Sequence, residues 1–152
     1  VDPAANAALQ LMFADAKAQG LNLFVRSGFR SYATQKSLYN GYVKRDGVAA
    51  ADRYSARPGH SEHQTGLAFD INKANSSFAG SPEAVWLAAN CYKYGFIVRY
   101  GQDIVPLTGY KYEPWHVTYV GVDVAADMRE KGITCLEEYV VKYIDHKPQG
   151  TV

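Results

Sequence analysis

The sequence carries almost no surplus of charge. Sixteen Lys and Arg stand against fifteen Asp and Glu, a formal net charge of +1. That excludes the concentrated positive field needed to follow a phosphate backbone or an anionic bilayer, so contact with neither nucleic acid nor membrane is expected. Long apolar runs are missing too, the longest falling far short of the ~20 residues of a membrane-spanning helix. Cysteine is scarce: Cys91 and Cys135 are the two in the chain. Two thiols cannot build an all-thiolate zinc site, and they lack the C-x-x-C spacing of redox motifs. One disulfide or two buried thiols both stay open. No basic-then-apolar leader follows Val1, so a targeting segment is expected to be absent from this chain and its location must come from chemistry.

What is present suits one folded unit. Apolar residues make up 47% and charged residues 20% of 152 residues, ordinary globular usage at a length that fills one domain, taken here as 1–152 with a polar tail at 145–152. Asp2-Pro3 reads as an N-cap and first-turn proline, and Leu9, Met12, Phe13 and Ala16 repeat at helical spacing up to Gly20, giving a helix over 3–19. A strand is expected over 21–25, a short helix through Gln35, Leu38, Tyr39 and Tyr42 ending near Gly47, and loop from there to Pro58-Gly59. Leu67 to Ile71 reads as a half-buried strand, Ser81-Pro82-Glu83 as the capped start of a helix stopping near Gly95, and 96–100 and 115–120 as strands. Helices over 123–131 and 136–144 close the chain. Helices and strands do not alternate regularly, so the predicted class is α+β with a central antiparallel sheet flanked by helices.

Two short segments carry the chemistry. In Pro58-Gly59-His60-Ser61-Glu62-His63-Gln64-Thr65-Gly66-Leu67-Ala68-Phe69-Asp70, a histidine and a carboxylate seven residues apart would face opposite sides of a continuous strand. Gly66 lets the chain bend, so that His63 from a loop and Asp70 from a strand converge, with small Ala68 leaving room beside them. In Glu113-Pro114-Trp115-His116-Val117, a third imidazole follows a carboxylate set apart by a proline. Two imidazoles, one carboxylate and an unliganded acid are the inventory of a catalytic zinc site with an open fourth position and a general base. His60 and His146 read as loop and tail residues.

The pattern Ser61-x-His63-x-x-Gly66-x-Ala68-x-Asp70 followed by Glu113-x-Trp115-His116 resembles the signature of the zinc D-Ala-D-Ala metallopeptidases, which share a fold with lysostaphin-type peptidases and the hedgehog signalling domain. Ser27-Gly28-Phe29-Arg30-Ser31, Gln35, Ser55 to Ser61, Tyr94-Gly95-Phe96 and Leu136-Glu137-Glu138-Tyr139 are similar to the VanY-type carboxypeptidase branch. The resemblance implies one zinc per chain held by His63, Asp70 and His116. It implies Glu113 as catalytic base and Arg30 as the cation polarising the scissile carbonyl, the alternatives being a passive contact to a ligand and a structural salt bridge. By the same analogy Ser31, Gln35 and Ser61 hold the substrate's terminal carboxylate. The implied protein is a monomeric, extracytoplasmic carboxypeptidase taking the terminal D-Ala from peptidoglycan stem peptides, with D,D- or L,D-specificity open. A phage-lysin type endopeptidase and a non-catalytic, zinc-stabilised binding domain are the competing readings.

Overall fold

The computed structural model describes residues 1–145, so the predicted tail beyond Asp145, with His146, lies outside the described residues. Helix α1 spans Pro3–Ala18, its first turn closed by Asp2, whose carboxylate accepts the Ala5 N–H at 2.9 Å. Its buried stripe is Ala5, Leu9, Met12 and Ala16, at helical spacing. Strand β1 (Val25–Ser27) follows, then α2 (Tyr32–Asp46), capped by Ser31, and α3 (Val48–Ala51). Strand β2 is Ala68–Ile71, α4 Pro82–Asn90, β3 Phe96–Tyr100, α5 Val105–Thr108 and β4 Glu113–Tyr119. Helices α6 (Val122–Glu130) and α7 (Leu136–Tyr139) end the described chain, α7 widening into a π turn over Val140–Ile144.

The four strands form one antiparallel sheet in the order β1-β2-β4-β3, which bears out the α+β expectation. One face packs on α1 and α4 through Phe69, Ile71, Phe96 and Val117, where the Phe69 and Phe96 rings meet edge-on with centroids 6.1 Å apart. Beyond this core, Ile97 packs with Ala125, Met128 and Tyr139 of α6 and α7. No helix of the described residues is long and apolar enough to cross a membrane. Cys91 and Cys135 are both free and buried, so the two-thiol alternative is the one found.

Three expectations need correction. The strand expected over 21–25 begins only at Val25. Asn72, left-handed at φ 56°, ends β2; its N–H still donates to the Phe24 carbonyl, while its side chain accepts the Phe24 N–H and donates to the Asn22 carbonyl in place of a continued ladder. The supposed loop after Gly47 holds the short helix α3. Strand β2 is not half-buried: all four residues are buried, because its second face is the floor of a cleft rather than open surface.

Candidate active site

Strand pairing builds the site. Asp70 lies directly opposite His116 and Ala68 opposite Thr118 across β2 and β4, so these four side chains share one face while Phe69 and Val117 share the core face. His63 arrives from outside the sheet, on a 3₁₀ turn at Glu62–Gln64 capped by Ser61. Gly66, at φ +77°, reverses the chain between that turn and β2, and a Cβ there would stand 3.1 Å from the Asp2 nitrogen. The bend inferred at Gly66 is therefore present.

Glu113 is three residues from His116, and strict alternation would put it on the core face. The register between β3 and β4 shifts between Val98 and Tyr100, with Pro114, which has no ladder donor, at the irregularity. The shift turns Glu113 back to the site, its Oε2 lying 3.5 Å from His116 Nδ1.

His63 Nε2 and His116 Nδ1 lie 3.3 and 3.4 Å from the same atom, Asp70 Oδ1. All three residues are buried, with candidate ligand atoms within 4.8 Å of one another. His63 Nε2 and Asp70 Oδ1 face each other without a hydrogen-bond partner, although buried polar atoms are normally paired. The outer nitrogens are occupied, His63 Nδ1 at 2.8 Å from the Gly28 carbonyl and His116 Nε2 at 3.3 Å from Glu62 Oε2. Imidazoles tied on the far side, with bare atoms converging on the near side, fit a divalent cation of the zinc type.

Electrostatics agree with this assembly. Burial opposes ionisation of Asp70, but the close imidazoles of His116 and His63 outweigh it and hold the carboxyl well below the usual range. Burial also disfavours a charged His116, yet the nearby Asp70 and Glu62 carboxylates and the charge of Glu113 raise it to about 9 in the metal-free chain. Burial, followed by the Asp70 and Glu62 charges, pushes Glu113 up to about 7 against the pull of His116 and Arg30. A carboxyl tuned to that range suits proton transfer near neutrality.

Around this cluster opens a cleft of about 300 Å³ whose wall includes Arg30, Ser61, Tyr100, Tyr110 and Trp115. Arg30 reaches Asp70 Oδ2 at 3.3 Å and donates to Gln35 Oε1 at 3.1 Å. Gln35 is buried, its amide hydrogens going to the Ala56 carbonyl and the Ser55 hydroxyl, so the structure makes it the support of Arg30. Ser61 lines the cleft and accepts the His63 N–H. Ser31 is exposed at the start of α2, where it accepts the Thr34 N–H, and is not among the residues lining the cleft. The structure thus brings His63, Asp70, His116, Glu113, Arg30, Gln35 and Ser61 together at the cleft, and leaves Ser31 apart.

The model of the VanY family, D-alanyl-D-alanine carboxypeptidase, matches residues 1–122. The chain belongs to the VanY family. The D-alanyl-D-alanine carboxypeptidase of Enterococcus faecalis (strain ATCC 700802 / V583) is 39% identical over 141 residues, covering 87% of this chain and 52% of that protein. The chain spans about half the length of curated relatives of this kind. Among solved structures, the LdcB LD-carboxypeptidase, described with the molecular basis of peptidoglycan recognition, superposes with a TM-score of 0.87 at 40% identity, over 93% of this chain and 69% of that one. A variant of the vancomycin-resistance D,D-pentapeptidase VanY in complex with Zn(II) superposes with a TM-score of 0.81 at 39% identity, over 92% and 83%.

Within this VanY-family site, the sequence reading gave no role to Glu62, Arg99, Ser55 or the tyrosines of the cleft. Glu62 stood in the unspecified position between Ser61 and His63, next to a ligand, and an acid there was the available signal. Arg99 had none, because an arginine in a strand reads as a solvent-facing residue and its partners, Glu62 and Glu137, come from distant segments.

Proposed function

We propose that this VanY-family chain is the catalytic domain of a zinc-dependent carboxypeptidase that removes the terminal D-Ala from peptidoglycan stem peptides outside the cytoplasmic membrane. The observation carrying this reading is the convergence of His63 Nε2, Asp70 Oδ1 and His116 Nδ1 beside Glu113, two of the three atoms being buried and unpartnered. Those residues would hold one zinc ion, which when bound supplies Lewis acidity toward the scissile carbonyl and its attacking water.

The rest is the work of the chain. Glu113 accepts a proton from the attacking water and returns it to the leaving amine. Arg30, held from behind by Gln35, presents a permanently charged guanidinium to the developing oxyanion, a kind of contact worth about 2.7 to 4 kcal/mol per donor in other enzymes. With its Oγ already accepting the His63 N–H, Ser61 has its hydroxyl hydrogen to offer the substrate's terminal carboxylate. Gln35 has both amide hydrogens committed and Ser31 caps α2, so Ser61 is the carboxylate donor of the three candidates.

The test compares a stem peptide ending in free D-Ala with the same peptide ending in D-Ala amide. A carboxypeptidase cleaves the first and discriminates strongly against the second. Equal cleavage of both would replace this reading with an endopeptidase.

A further inference from the structure

His116 ligates through Nδ1 only if its proton resides on Nε2, and the structure contains a device that holds it there. We infer that Glu62, locked in place by Arg99 and Glu137, is a positioning residue that fixes the tautomer of His116 and so completes the metal-binding set. The inference rests on the zinc reading above and concerns the residues behind the site rather than the ligands themselves.

The 3₁₀ turn that delivers His63 to the cluster also delivers Glu62 behind it, so one turn supplies a ligand and the support of another ligand. Glu62 is only 22% exposed in its side chain and accepts from three groups on two oxygens. Arg99 Nε donates to Oε1 at 2.6 Å, while Thr118 Oγ1 donates to Oε2 at 2.7 Å beside His116 Nε2 at 3.3 Å. An ionised carboxylate accepts at both oxygens, whereas a carboxamide of the same shape carries N–H groups at one end. With its oxygen turned to Arg99, that amide would point its N–H groups at Thr118 Oγ1, which can also accept, and at His116 Nε2, which accepts only when the imidazole proton sits on Nδ1. A carboxylate removes that choice: it has no hydrogen to give, so its oxygen at 3.3 Å favours the proton of His116 on Nε2. The opposite tautomer would place a hydrogen on Nδ1, the atom 3.4 Å from Asp70 Oδ1.

Arg99 fixes the carboxylate in turn. It is 6% exposed, and its two terminal nitrogens meet the Glu137 carboxylate at 3.0 and 2.5 Å in a two-pronged contact, the geometry that gives arginine pairs their directional hold. Its guanidinium lies over the Tyr100 ring at 4.9 Å, and that ring packs at a 57° tilt against the ring of His116, with centroids 5.0 Å apart, a second contact between the network and the imidazole. Glu137 belongs to α7, beyond residue 122 where the family match ends. A helix outside the matched segment is thereby tied through three side chains to a metal-ligating ring.

Two readouts test this. In the wild-type protein loaded with zinc, nitrogen NMR of His116 is expected to show the metal on Nδ1 and a slowly exchanging proton on Nε2. Chelator competition is expected to show that Glu62→Gln weakens zinc binding by about 10- to 100-fold, the usual loss when a group supporting a ligand is removed, with the Nε2 proton signal lost. Glu137→Gln, at a side chain 55% exposed, is expected to weaken zinc binding by less, in the same direction. Zinc on Nε2 of His116, or unchanged affinity in Glu62→Gln, overturns the inference while leaving the zinc site standing. The wild-type spectrum decides even if Glu62→Gln does not fold. Wild-type protein that takes up no zinc would overturn the metal reading itself, and the positioning role with it.

Discussion

Replacing Glu113 with Gln removes a proton acceptor and leaves the shape of the cleft unchanged. The side chain is 12% exposed, and its ion-pair contact is with His116 Nδ1 at 3.5 Å, the limit of hydrogen-bonding reach. An amide of equal size should therefore preserve both fold and zinc. Positioned proton transfer contributes about 10² to 10⁴ in rate, so turnover should fall by that factor, a barrier increase of about 2.7 to 5.4 kcal/mol, with KM little changed. The pH profile provides a second check. Burial first, then neighbouring carboxylates, puts Glu113 at about 7 in the metal-free chain, and a bound cation favours the ionised form, moving the acid limb lower. Below that limb the protonated carboxyl cannot act as base, so wild-type rate falls with falling pH, whereas Glu113→Gln should lack this limb. The assay is single-turnover release of D-Ala across a pH series, with zinc content measured in the same samples. Near-normal turnover of the zinc-loaded variant would remove Glu113 from the mechanism.

Further outcomes follow from the same geometry. His116 is raised to about 9 without metal and starts protonated at pH 7, and Glu113 at about 7 starts partly protonated, so zinc uptake should expel more than one proton. Calorimetry in buffers of different ionisation enthalpy measures this, and uptake without proton release would contradict the burial and pairing described. Gly66→Ala should lower the melting temperature by roughly 2 to 8 °C, from about 1 to 2 kcal/mol for a left-handed alanine, since Gly66 sits at φ +77° with the Asp2 nitrogen 3.1 Å from the added Cβ. An unchanged transition would show that the bend does not need glycine. Burial pushes the Cys91 thiol up to about 12, so it should resist thiol reagents in the native protein and react after denaturation. Finding no free thiol in the denatured, unreduced protein would restore the disulfide alternative.

The ligand set was legible because its logic is local. His63, Gly66 and Asp70 lie within one segment, and the need for a bend between a loop ligand and a strand ligand can be argued from period two alone. That Asp70 faces His116 is a matter of register, and no spacing within either segment specifies which residues two distant strands will oppose. Glu113 illustrates the same limit, because its side of the sheet is set by an irregularity between β3 and β4. Gln35 and Ser31 were assigned to the substrate by analogy with the family. The structure employs the first under Arg30 and the second at the head of α2, competing uses that residue type alone does not distinguish. The late start of β1 has a similar origin, since Asn72 supplies side-chain bonds to residues that would otherwise have extended the ladder.

The central claim is that this cleft, loaded with zinc, cuts one residue from the end of a stem peptide. The most direct measurement is mass spectrometry of tetrapeptide and pentapeptide stems after incubation with chelator-stripped protein and with the same protein reloaded with zinc. The account predicts loss of a single terminal D-Ala from at least one of the two stems, present with zinc and absent without it, and the stem cleaved assigns L,D- or D,D-specificity. Cleavage inside the stem, turnover that persists in the stripped protein, or two intact stems after incubation with the fully reloaded protein would contradict it.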